Sequence, residues 1–221
     1  MSLDAPVLRG EDLSDRLERR PVRRSELALK GMVWDVRRDT VDLGAAGEVV
    51  REYVDHPGAV GILVLREVEG RGQVLLIQQY RHPVGGFEWE LPAGLLDVAG
   101  EAPWLAAARE LHEEVDLIAG SWDVLIDFFG SPGGNSEALR IFLARDLTEV
   151  QHDDLFTRED EEQAMRVGWV DLDEAHDAVL RGQVHNSGAV IGILTAHAAR
   201  AGDWATLRPH DAPWPQHPSY R

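Results

Sequence analysis

The 221-residue chain contains no cysteine. That excludes disulfides, thiolate zinc sites and cysteine nucleophiles together. Lysine is almost as scarce: Lys30 is the only one among 22 basic residues, so nearly all the positive charge is arginine. Guanidinium groups suit bidentate phosphate recognition, although a biased genome composition accounts equally well for the pattern. Long apolar runs are missing too. None approaches the roughly 18 residues that mark a membrane-spanning helix, and Met1-Ser2-Leu3-Asp4 does not read as a signal peptide. These absences predict a cytoplasmic protein with no membrane partner. Positive charge of any kind is in short supply, leaving a formal net charge of −17 at pH 7. A nucleic-acid partner would need clustered Lys and Arg, so none is expected. An anionic small molecule would be repelled unless bound cations and a few local arginines supplied the attraction. The nine histidines show no pairing such as His-x-x-x-His around an acid, which disfavours a histidine-zinc site.

What the chain does have is one stretch around which the rest is organised, residues 94–117. A loop bounded by Gly94 and Gly100 leads into a helix opened by Glu101 and Pro103, near the first turn, where a missing N–H costs little. At about 100° per residue, Trp104, Ala108, Leu111 and Val115 form an apolar arc. Glu110, Glu113 and Glu114 fall on the opposite side, with Ala106 and Ala107 beside them, leaving room for something to approach the helix backbone. Like charges at this spacing repel and mildly destabilise an isolated helix. A divalent cation would reverse the sign, because hard ions such as Mg²⁺ are held by carboxylates and substrate phosphates. On spacing alone, a merely solvated glutamate face is the commoner explanation of the pattern.

The order of residues narrows the choice. Gly94, Glu101, Arg109, Glu110, Leu111, Glu113, Glu114 and Leu117 resemble the box of the Nudix hydrolase family. In that motif a Gly and a Glu precede Arg-Glu-apolar-x-Glu-Glu and a closing Gly-apolar pair. Two positions depart from it: one extra residue lies between Gly94 and Glu101, and Asp116 stands where the motif has Gly. Asp tolerates left-handed backbone better than most residues, so the helix can still end there. The resemblance implies an α/β fold, a Nudix-type α/β/α sandwich with a mixed β-sheet, preceded by a small N-terminal antiparallel sheet. It also implies that Glu110, Glu113 and Glu114 hold Mg²⁺, with Mn²⁺ a substitute. Glu101 would coordinate directly or through water, and the Ala93 carbonyl would be a backbone ligand. Gly94 and Arg109 would shape the box, Arg109 by pairing with a carboxylate.

Around this centre the sequence predicts three segments. Residues 1–55 form an N-terminal β-sheet segment. Its first 24 residues are loosely ordered, and short strands follow at 27–29, 32–37 and 49–54, the last two separated by a Gly-rich turn at 43–47. Residues 56–202 form the main domain, with strands at 59–66, 74–80, 88–94, 122–129, 139–144 and 166–171 and later helices at 172–181 and 186–201. Residues 203–221, with two Trp and four Pro, form an irregular tail. In the ADP-ribose pyrophosphatase branch of the family a similar N-terminal sheet exchanges with a partner subunit, which implies a homodimer.

Further candidates come from the same branch. Glu161-Glu162-Gln163-Ala164-Met165 resembles its catalytic loop, making Glu162, or else Glu161, the general base; taken alone, the run is a solvated loop. Pro132, about 15 residues beyond the box, resembles a marker of the branch, although Ser131-Pro132-Gly133-Gly134 by itself is only a turn. Glu137 resembles an acid that contacts ribose or a phosphate-bound water, and Arg81 an arginine near the diphosphate, although an edge salt bridge accounts for Arg81 equally well. Glu90 would hold sugar hydroxyls or order that arginine. Trp34 and Trp89 could stack on adenine, yet a buried Trp is more often packing. The implied activity is metal-dependent cleavage of ADP-ribose to AMP and ribose 5-phosphate. Its alternatives are the same chemistry on a nucleotide sugar, a dinucleotide or a flavin dinucleotide, and a sensor that binds ADP-ribose without cleaving it.

Overall fold

The computed structural model describes residues 2–151 and 165–220 and divides into two compact units, Met1–Glu52 and Tyr53–Arg221. The first unit is built on an antiparallel sheet of β1 (Val22–Leu29), β2 (Asp35–Asp42) and β3 (Glu48–Asp55), with β2 in the middle and β3 running past the boundary. It has little interior. Seven of the eight β1 residues are exposed, and Val22, Leu27, Leu29 and Val50 all face solvent. Two expectations are corrected here. β1 starts at Val22, inside the stretch expected to be loosely ordered, because Val-Arg-Arg-Ser gives no period-2 signal while its backbone still pairs with β2. Met32-Val33-Trp34 lies outside any strand and is exposed. Gly31 turns the chain so tightly that a Cβ there would overlap the Trp34 carbonyl, and β2 starts only at Asp35.

The second unit is an α/β/α sandwich. Its eight-stranded mixed sheet includes β4 (Ala59–Val68), β5 (Arg71–Arg81), β6 (Gly86–Glu90), β7 (Ala93–Leu95), β8 (Leu117–Phe129), β9 (Ala138–Glu149), β10 (Arg166–Asp171) and β11 (Arg208–Pro209). The main path runs β10-β5-β4-β9-β8-β11, with β6 paired to β5 and β7 to β4. β4 and β9 are parallel, and the other pairings are antiparallel. β4 alternates between two cores, as period 2 requires for a strand covered on both faces. Val60, Ile62 and Val64 face α1 (Pro103–Val115), where Ala106, Ala107 and Leu111 meet them. Leu63 and Leu65 face α2 (Leu172–Leu180) and α3 (Ser187–Ala201) through Leu172, Ala175, Ala189, Ile193 and Ala196.

A single strand over 88–94 is not what forms. Pro92 has no N–H to donate to a ladder, and the chain breaks at Leu91-Pro92, crossing from the β5 edge as β6 to the β4 edge as β7. That crossing carries the backbone from Glu90 to Ala93. Beyond α3 the chain has little regular structure but is firmly packed. β11 extends the β8 edge, and Trp214 is 1 % exposed in the core shared with α1.

Candidate active site

α1 starts with Pro103 in its first turn and has no side-chain cap at Ala102. It stops at Asp116, which adopts left-handed backbone at φ 56° and returns its N–H to the His112 carbonyl. The helix therefore ends where the sequence motif ends, despite the missing glycine. Ala106 and Ala107 do not leave space for a ligand, contrary to expectation. Both are completely buried, and their small size lets the helix settle against the sheet. That close approach brings α1 onto β7. A Cβ at Gly94 would overlap the Glu110 carboxylate, so only glycine leaves room for it. One residue earlier, the Ala93 N–H donates to Glu114 Oε2 at 2.9 Å, holding a side chain that is 7 % exposed.

Arg109 is the hub of the remaining acids. Its Nε and Nη2 donate to the two oxygens of Glu101 at 3.2 Å each. Nη1 donates to Glu110 at 2.6 Å and to Glu113 at 3.2 Å. These bonds, the one to Glu101 foremost, raise the guanidinium pKa further above its ordinary value, so Arg109 stays charged. Three carboxylates thus share one cation, while Glu114, the fourth acid, is held by the Ala93 N–H. Among the described residues, no three carboxylate or imidazole groups converge on one point in this arrangement; three of the four acids turn toward Arg109 instead.

A second pair lies just upstream. Glu90, 3 % exposed, accepts Nε and Nη2 of Arg81 at 2.8 and 2.7 Å, leaving Arg81 partly exposed. Both Glu90 oxygens are thus engaged, the geometry of a residue that orders the arginine. Trp89 packs on the α2–α3 core, and Trp34 lies in the first unit.

Pro132 sits in an exposed turn whose Asn135 bridges to Val54. Glu137 follows it and meets a residue that sequence reasoning missed. His56 Nε2 lies 3.3 Å from Glu137 Oε1. Because the Gly58 N–H donates to His56 Nδ1 at 3.0 Å, the proton of the neutral ring belongs on Nε2, aimed at Glu137. Burial pushes His56 below its ordinary pKa and Glu137 above its own. The Gly58 carbonyl accepts the Leu96 N–H, tying this pair to the loop after Gly94. His56-Pro57-Gly58 reads in the sequence only as the start of a domain, and nothing local pairs it with Glu137. Glu161 and Glu162 lie outside the described residues. Beyond them, Arg166 pairs with Gln78 on β5, three residues before Arg81.

Comparison with known proteins identifies the family. The NUDIX domain family model matches residues 55–189. An ADP-ribose pyrophosphatase of Mycobacterium tuberculosis is 44 % identical over 195 residues, covering 88 % of this chain and 91 % of that protein. An ADP-ribose pyrophosphatase of Bacillus subtilis is 31 % identical, covering 80 % of this chain and 91 % of its own. The crystal structure of an ADP compounds hydrolase superposes with a TM-score of 0.69 over 86 % of this chain and 98 % of its own, at 20 % identity.

Proposed function

The chain belongs to the Nudix family, and from that premise we propose that it hydrolyses the diphosphate of ADP-ribose, giving AMP and ribose 5-phosphate. The observation that carries the proposal is the gathering of Glu101, Glu110 and Glu113 about Arg109, with Glu114 held beside them by the Ala93 N–H and a glycine that makes room for Glu110. One guanidinium leaves most of this carboxylate charge uncompensated, and an all-oxygen donor set matches a hard divalent cation. Glu110, Glu113, Glu114 and the Ala93 carbonyl would hold Mg²⁺, or Mn²⁺ in its place, with Glu101 at the margin. Ion binding then requires Glu110 and Glu113 to turn from Arg109, which stays with Glu101. When bound, such an ion polarises phosphoryl oxygens, lowers the pKa of a bound water and neutralises developing charge.

The chain's own groups supply the rest. Arg81, aligned by Glu90, presents its exposed edge to the diphosphate. Glu137, oriented by His56, meets the ribose beyond Pro132. Glu162, or Glu161, takes the proton of the attacking water. β10, which begins four residues after Glu162 in the sequence, pairs with the strand that bears Arg81, which suits a base that acts from outside the box. The open face of the β1–β3 sheet, with Val22, Leu27 and Leu29 exposed, suits a homodimer in which a second copy covers it. Residues 1–55, 56–202 and 203–221 would serve as dimerising sheet, hydrolase domain and tail of a cytoplasmic enzyme. No helix among the described residues is long and apolar enough to cross a membrane.

The test is turnover of the purified protein on ADP-ribose, ADP-glucose, NADH and FAD, with Mg²⁺, with Mn²⁺ and with EDTA, resolving the nucleotide products. AMP formed fastest from ADP-ribose, and abolished by EDTA, is the expected result. A faster rate on another diphosphate overturns the substrate and keeps the metal helix. Binding of ADP-ribose without cleavage overturns the catalytic reading.

A further inference from the structure

We infer that residues 208–220 are a strap that positions the carboxylate-bearing loop of the ion site, with Tyr220 as its working contact. The strap is anchored at one end by arginine. Arg208 donates to Asp127 at 2.9 Å. Arg140, 2 % exposed, grips the same carboxylate with two bonds of 2.7 and 3.0 Å. Its remaining N–H groups reach the Ala212 and Pro213 carbonyls at 2.8 and 3.1 Å, and its guanidinium lies 4.7 Å from the centre of the Trp214 ring. Four of the five N–H donors of this buried cation are thereby used on the strap or its anchor.

The strap touches three separate places: the turn just before β4, the first turn of α1, and the loop that leads into α1. His217 Nε2 meets the Pro57 carbonyl at 2.7 Å, and its ring fills the space left by the absent Cβ of Gly58, whose own carbonyl holds Leu96. His210 packs edge-on against Trp104 in the first turn of α1, with ring centres 4.9 Å apart. Tyr220, stacked on Trp214 with planes 9° apart, donates its hydroxyl to the Glu101 carbonyl at 3.0 Å. The Glu101 side chain is the one that takes two bonds from Arg109. A line of contacts therefore runs from Arg140 through Trp214 and Tyr220 to Glu101 and Arg109. α1 has no side-chain cap at its start, so the strap replaces the local fixing that a cap would give. The positions of Glu101 and Arg109 decide how freely Glu110 and Glu113 can turn toward an ion. Tyr220 is thus a positioning residue, acting on the ion site through the Glu101 backbone.

The inference rests on the reading of Glu101, Glu110, Glu113 and Glu114 as the ion site, and its test needs no substrate. Mn²⁺ binding to the full chain is followed by the loss of the free-ion electron paramagnetic resonance signal, beside thermal melting. Tyr220→Phe removes one hydroxyl and keeps the stacking on Trp214. It should weaken Mn²⁺ binding about tenfold, the low end of the range seen for groups that orient ligands from behind, while melting stays close to that of the parent chain. Arg208→Gln loosens the anchor away from the loop and should lower the melting temperature while leaving Mn²⁺ binding within twofold. Unchanged Mn²⁺ binding in Tyr220→Phe overturns the strap's role while leaving the ion site intact. Equal weakening in both variants also overturns it, since loss of stability alone would then explain the effect. A parent chain that binds no Mn²⁺ overturns the ion site and the strap's role with it.

Discussion

Two arginine-centred clusters in the second unit contrast in charge and burial. Arg109 faces three carboxylates and is partly exposed, with Glu101, Glu110 and Glu113 dividing one guanidinium. Arg140 shares a single carboxylate with Arg208, is buried, and spends its other donors on backbone carbonyls. The second cluster is satisfied as it stands, and nothing further is needed to close it. The first carries surplus negative charge that the fold alone does not neutralise. The densely bonded cluster serves as architecture, and the acid-rich one is where the proposed cation would sit.

Substitutions can break that contrast from either side. The largest effect is expected from Glu114→Gln. Its amide oxygen still accepts the Ala93 N–H, so melting should hold, while activity falls by about 100-fold or more if several kcal/mol of transition-state stabilisation is lost. Wild-type turnover in this variant would move the ion site elsewhere. Arg140→Met should have the opposite signature. It leaves Asp127 and two strap carbonyls short of donors and should cost about 3 kcal/mol in urea unfolding, with turnover at saturating metal reduced far less than in Glu114→Gln.

Gly94→Ala sharpens the comparison further, because its added carbon would occupy the place of the Glu110 carboxylate. We expect activity to drop about tenfold, comparable with disturbing a group that orients a metal ligand, measured as a higher Mg²⁺ concentration for half-maximal rate. The smallest effect concerns His56. Its folded pKa lies below the ordinary 6.5, so the unfolded chain takes up the proton first as pH falls. The stability that neutral His56 contributes is complete above pH 6.5 and is lost as pH drops below it. Glu137, pushed above 4.5 by burial, works in the other direction and loses stability as pH rises past 4.5. His56→Gln should therefore flatten the acid-side loss just below pH 6.5, read from melting temperature against pH; an unaltered profile would show that His56 does not titrate on unfolding.

What could be read from the sequence follows from how local each feature is. α1 and its acids were legible because a 3.6-residue period and an ordered motif lie within one continuous stretch. β4 was legible because a strand covered on both faces is a run of apolar residues. The break at Pro92 was hidden inside a short strand-like run. β1 was partly hidden by its polar start, and Ala106 and Ala107 were misread because small residues suit both an open face and a tight helix–sheet contact. The pairing of His56 with Glu137 and the line from Tyr220 to Glu101 join positions far apart in the chain. Proline and aromatic residues in the last segment have no period to announce a partner. The general base, Glu162 or Glu161, remains a proposal drawn from resemblance.

The strap also sets an order of assembly. His217 closes onto Pro57 across 160 residues, Tyr220 onto Glu101 across 119, and Arg140 onto Ala212 across 72. At about 5–20 residues per second of synthesis, the loop bearing Glu101 waits on the order of ten seconds for the tyrosine that fixes it. During that interval the nascent sheet holds an arginine whose last acceptors have not yet been made. Such long-range closures are slow steps in forming a fold. The loop that carries Glu101 is thus fixed after the sheet beneath it, and a ribosome that stalls before residue 212 leaves the sheet without its strap.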